Sequence, residues 1–245
     1  MLKSKFHLCD LFGIPIFINQ SFIFLLILFV IDFGSFSTGM AMAMALAASV
    51  TLHELGHSLT ARAFGYHTKD ITLSLLGGCA SLISLPKKAW QEFLTALAGP
   101  LVSFLISAAV FFPLALGFIH SYWLQEVMAY TFYMNLMLGA FNLLPGFPMD
   151  GGRIFRSVMR IFTTRAKATF IAMWVGRVFA ILLALRGVWS IFNHGGWGFI
   201  SILIAWMIWQ EGYREYVLAR MEEDFRNWTQ DDFNARVSPP PYDKD

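Results

Sequence analysis

From residue 14 onward the chain repeatedly runs for close to twenty residues with scarcely a charge, each run ending in a short polar break. A helix crossing about 30 Å of hydrocarbon takes about 20 mostly apolar residues, so this pattern calls for a polytopic membrane protein. Six stretches fit, over residues 14–30, 39–62, 93–118, 123–144, 178–192 and 197–209. Residues 165–176 read as an amphipathic helix at the interface before the fifth of them. Composition agrees: 57% of the residues are apolar and 14% charged, against about 25% charged in an ordinary soluble domain. The formal net charge of +2 is too small, and the basic residues too dispersed, to suggest a nucleic-acid partner.

Orientation follows from where Lys and Arg fall. Under six spans every basic residue except Arg186 lies on, or in the case of Arg177 snorkels to, one side. Both termini are therefore expected in the cytoplasm of a cell bounded by this plasma or inner membrane. Trp123, Trp189 and Trp197 then sit near the outer interface. Residues 6–15 lack a compact apolar core with a small-residue cleavage site, so no cleaved signal peptide is expected. Residues 1–220 form the membrane domain, and 221–245, too poor in apolar side chains to build another domain, are expected as a disordered cytoplasmic tail.

The second span contains His53-Glu54-Leu55-Gly56-His57. Residues four apart share a helix face, so both imidazoles can grip one metal ion while Glu54 stands beside them to act on water. Two histidines and a carboxylate within five membrane residues are costly unless they meet a ligand or a wet cavity. A zinc peptidase site needs a third protein ligand and an open position. Asp150 is the candidate, in Asn142-Leu-Leu-Pro145-Gly-Phe-Pro148-Met-Asp150-Gly151-Gly152, where two prolines disrupt helical hydrogen bonding after the fourth span. The alternative is that Asp150-Gly151 makes only a turn. Depth favours convergence: His57 stands five residues before Arg62, roughly 7–8 Å of helix rise from the cytoplasmic boundary, and the fourth span ends on the same side.

Residues 70–85 alternate partly around Gly77-Gly78, which suggests a short hairpin between the second and third spans. The fold class is thus an all-α membrane protein of six transmembrane helices with one short β-hairpin.

These motifs resemble the site-2 protease family, intramembrane zinc peptidases, in its compact six-span branch without PDZ or CBS domains. His53-Glu54-Leu55-Gly56-His57 matches that family's HExxH. Asn142, Pro145, Asp150 and Gly151 match its second motif, Asn-x-x-Pro-x-x-x-x-Asp-Gly. Gly13-Ile-Pro-Ile16, Gly77-Gly78 and Ala98-Gly99-Pro100 extend the similarity over residues 6–220. Ser103 departs from it, standing where many relatives have asparagine, with an effect expected on packing or a polar contact.

The resemblance implies one zinc ion held by His53, His57 and Asp150, with Glu54 as the general base. It implies that Asn142 binds substrate backbone or orients the zinc-site loop; on the residues alone a helix cap or interhelical bond is equally open. It further implies that the hairpin with Gly77 and Gly78 dips into the membrane near zinc and receives an extended substrate by strand addition; from periodicity alone an ordinary cytoplasmic hairpin remains open. The implied partner is a single-span membrane protein, such as an anti-sigma factor or a tethered transcription factor, cut in or near its transmembrane segment. Two rivals stand beside this reading. A non-catalytic zinc-binding scaffold would close the metal site or lack the base, and a transporter would carry repeated spans and paired carboxylates.

Overall fold

The computed structural model describes residues 5–33, 35–74, 77–82, 86, 88–194 and 198–237. Four strands and seven helices follow in the order β1 (Lys5–Leu11), β2 (Ile14–Asn19), α1 (Gln20–Asp32), α2 (Phe36–Ala63), β3 (Thr68–Ser74), β4 (Gly77–Leu82), α3 (Ala89–Ala115), α4 (Tyr122–Asn142), α5 (Asp150–Met159), α6 (Arg165–His194) and α7 (Gly198–Val237). They fall into two compact units, one of residues up to Leu144 with Met149–Ile154, the other of Pro145–Pro148 with everything from Phe155 on.

In the first unit the strands make one sheet in the order β1-β2-β3-β4, with β2 and β3 parallel and the outer pairs antiparallel. The β1–β2 connection is two residues, Phe12 and Gly13, both at positive φ (53° and 77°). Positive φ at both positions gives the turn handedness that matches the twist of paired strands, and the glycine at the second removes half of its steric cost. Ile14, Ile16, Ile71 and Leu73 are buried from the sheet against Phe22 of α1 and Val50 and Leu55 of α2. The sheet thereby rests on the helix that carries the histidines.

The expected hairpin is present as β3 and β4, but it belongs to a larger sheet; residues 75, 76 and 83–85 of the expected segment lie outside the described residues. The expected first span is corrected. Residues 14–19 are strand β2, and α1 has 13 residues, about 20 Å of rise. The change from strand to helix occurs at Asn19, whose side chain accepts a hydrogen bond from the Ser21 N–H at 3.2 Å. Such a cap satisfies a donor that the first helical turn leaves open.

Helices α2 and α3 cross closely at Gly56. A Cβ there would stand 2.9 Å from the Ala98 carbonyl oxygen and 2.9 Å from a Val102 methyl. Among the described residues, three helices are long and apolar enough to cross a membrane: Phe36–Ala63, Ala89–Ala115 and Arg165–Asn193.

In the second unit α6 and α7 pair along small residues. A Cβ on Gly187 would come within 2.6 Å of the Gly198 carbonyl oxygen, and Ala180, Ala205 and Ile208 are buried nearby. The separate interfacial helix expected over 165–176 is corrected, because α6 runs unbroken from Arg165 to His194. Arg177 does not end it: the guanidinium lies 4.9 Å from the Trp174 ring centre and 4.4 Å from that of Trp209. The charge is thus accommodated by aromatic faces, one from α6 itself and one from α7. The expected disordered tail is likewise helical as far as Val237, and residues 238–245 and Trp197 lie outside the described residues. Three carboxylates of α7 have partners from earlier segments. Glu215 meets Arg156 at 3.1 Å, Glu222 meets Arg165 at 3.3 Å, and Glu223 accepts the Ala166 N–H at 3.1 Å.

Candidate metal centre

His53 and His57 lie one turn apart on α2, and both are buried. Their Nε2 atoms are 3.2 Å from each other. Asp150 is the first residue of α5, and its Oδ2 is 3.1 Å from each of those nitrogens. A side chain on the next residue, Gly151, would run into the carbonyl oxygens of Leu143 and Leu144. Glycine there lets the chain double back tightly enough to deliver the carboxylate.

Three donor atoms thus form a nearly equilateral triangle. Zinc bonds of about 2.0–2.1 Å in a tetrahedral site set ligand atoms about 3.3–3.4 Å apart, so the observed edges fit one small ion capping the triangle.

Hydrogen bonding makes the same point independently. The Nδ1 of His57 is 2.7 Å from the Thr95 carbonyl oxygen. A carbonyl only accepts, so Nδ1 carries the proton and the Nε2 of a neutral ring presents a lone pair. That lone pair faces a carboxylate oxygen and a second imidazole nitrogen, all three buried. One small cation among the three atoms would satisfy that lone pair and the carboxylate together.

Helix α3 forms the opposite wall. Thr95, Gly99 and Ser103 recur every fourth residue and so share one face. Thr95 supplies the carbonyl to His57, and Ser103 Oγ lies 2.9 Å from His53 Nδ1. Gly99 stands between them. A Cβ at that position would overlap the His57 ring and approach His53 Nε2 to 2.8 Å. Gly99→Ala is therefore expected to lower zinc content sharply, although alanine favours a helix interior by about 1 kcal/mol. Zinc per chain by elemental analysis checks this, and full occupancy in the variant would count against the crowding.

Glu54 is buried beside the histidines. Strand β4 passes directly over it: a Cβ on Gly78 would collide with Glu54 Cγ and lie 2.8 Å from Oε1. Of the residues expected from sequence, the structure brings together His53, His57 and Asp150, with Glu54 and Gly78 adjacent. Gly77 opens the same strand. Asn142, half-buried at the end of α4, uses its amide to donate to the Leu138 carbonyl at 2.9 Å, within its own helix. The Thr95 carbonyl was not foreseeable, because every residue type has one. Ala98-Gly99-Pro100 and Ser103 marked this wall in the sequence, and the polar contact expected of Ser103 is the one it makes with His53.

Comparison with known proteins follows the same lines. The profile of Peptidase family M50 matches residues 41–122 and 118–185. "Putative zinc metalloprotease sll0528" of Synechocystis is 33% identical, over 97% of this chain and 66% of its own length. "Zinc metalloprotease MJ0392" of Methanocaldococcus jannaschii is 34% identical, over 92% of this chain and 65% of its own. The chain thus spans just under two thirds of these relatives. Among solved structures, the "Site-2 Protease from Methanocaldococcus jannaschii" superposes with a TM-score of 0.65 at 32% identity, covering 87% of this chain and 95% of that one.

Proposed function

The chain belongs to peptidase family M50, the site-2 proteases, and from that membership we propose that it is an intramembrane zinc endopeptidase hydrolysing a peptide bond in or near the transmembrane segment of a membrane-tethered protein. The observation that carries this reading is the meeting of His53 Nε2, His57 Nε2 and Asp150 Oδ2 within 3.1–3.2 Å of one another, with Glu54 buried alongside.

His53, His57 and Asp150 hold the ion, and three protein ligands leave a tetrahedral position open. Zinc bound there supplies a Lewis acid that acidifies water and polarises a carbonyl. Glu54 is the general base. Its carboxylate takes the proton of the attacking water as the new C–O bond forms, and gives it to the amide nitrogen as the C–N bond breaks. A substrate helix hides its carbonyls in its own hydrogen bonds, so it must unwind before attack. Strand β4 lies at the end of the sheet and offers an edge on which an extended segment can pair, with Gly77 and Gly78 keeping the approach to Glu54 clear. Asn142 serves the same stretch of substrate by binding its backbone.

We place the protein in the plasma membrane with six spans and both termini cytoplasmic, on the one-sided distribution of Lys and Arg. The substrates are single-span proteins with helix-weakening residues near the cut, of the kind represented by anti-sigma factors and tethered transcription factors. A scaffold without catalysis would have no use for a buried carboxylate at Glu54. For the test, the purified full chain is incubated with a single-span substrate before and after chelation. Cutting should cease when zinc is removed and return when it is restored; cutting that survives complete removal of the metal defeats the proposal.

A further inference from the structure

We propose that Ser103 is a positioning residue, the buried acceptor for the Nδ1 proton of His53 when Nε2 binds metal; this rests on the zinc-site reading above. The two imidazoles of the centre are held in unlike ways. The Nδ1 of His57 faces a main-chain carbonyl, that of Thr95, which can only accept. Its proton is therefore fixed on Nδ1 whatever side chains surround it. The Nδ1 of His53 faces a hydroxyl, Ser103 Oγ, at 2.9 Å, and Ser103 is completely buried. A hydroxyl can accept or donate, so the main chain does not decide the tautomer of His53.

The competing form is built into the site. Asp150 Oδ2 stands 3.1 Å from His53 Nε2. With its proton on Nε2, His53 would donate to that carboxylate, and a protonated nitrogen has no lone pair for an ion. With its proton on Nδ1, the ring needs a buried acceptor, and Ser103 Oγ is positioned to be it. When an ion claims the Nε2 lone pair, the serine supplies the acceptor that the Nδ1 proton then needs, so His53 can pass from donor to Asp150 to co-ligand with Asp150 without burying an unpaired N–H. Partners of this kind on metal-bound histidines are worth about 10–100-fold in metal affinity.

The test uses the full chain in detergent or nanodiscs. Zinc affinity is read by competition with a chromophoric chelator, and ligand geometry by the visible spectrum of the cobalt-substituted protein. Ser103→Ala should bind zinc about 10–100-fold more weakly, with an altered cobalt spectrum, while the metal-free variant melts at the wild-type temperature. Ser103→Thr, which keeps the hydroxyl, should recover both signals. Wild-type affinity and spectrum in Ser103→Ala overturn the inference. If Ser103→Ala also lowers the melting temperature, Ser103→Thr decides: affinity recovered supports a role for the hydroxyl, and affinity not recovered refutes it. The metal site itself is judged separately, by whether wild type binds one zinc and His53→Ala does not.

Discussion

Glu54→Gln is expected to retain zinc and lose cleavage, by about 10²–10⁴-fold if the side chain acts as a general base. The substitution changes one oxygen for an amide nitrogen, so the buried volume beside β4 is kept and Gly78 still clears it. His53, His57 and Asp150 are untouched. What disappears is a group able to accept a proton from water, since an amide has no useful basicity. Zinc content and melting temperature like those of wild type, together with lost turnover, would isolate the chemical step. Turnover within a few-fold of wild type would remove Glu54 from the mechanism.

Asp150→Asn should be as damaging for a different reason. Asparagine makes turns as readily as aspartate, and it is nearly the same size, so an Asp-Gly that served only to reverse the chain would tolerate it. A ligand would not. The charged oxygen 3.1 Å from both Nε2 atoms becomes a neutral amide, and the site loses the anion that balances the ion's charge. Zinc affinity should fall by at least the 10–100-fold that loss of a mere supporting partner costs, and activity with it. Elemental analysis after dialysis against a weak chelator reads the loss. Full zinc retention in Asp150→Asn would return the residue to the role of a turn.

The metal centre was legible from sequence because its logic is local twice over. The pair His53 and His57 needs only the helical repeat to share a face, and Asp150 needs only the two spans to end on the same side. The sheet was half legible. Around Gly77-Gly78 the alternation of residues 71–75 marks a strand, whereas residues 14–30 carry no charge and are apolar apart from Asn19-Gln20-Ser21. Such a run conceals a change from strand to helix; that short polar break is its one sign. The helical extension of α7 was hidden for the opposite reason. Its own residues are too polar to advertise burial, and what engages them, Arg156, Arg165 and the Ala166 N–H, comes from segments about sixty residues earlier. At Arg177 the sequence shows one of the two indoles, Trp174 three residues earlier, whereas Trp209 reaches the guanidinium from α7 only on folding.

The unlike anchoring of the two imidazoles also bears on how this chain can vary over generations. A peptide carbonyl is common to all residue types, so position 95 is free to drift within the limits of size without disturbing His57. Position 103 is narrower in its choices, because what it lends to His53 is the chemistry of its own side chain, an acceptor that serine and asparagine both carry. Substitutions are therefore expected to be tolerated unevenly at two positions of a single helix face, two turns apart, even though both serve the same ion.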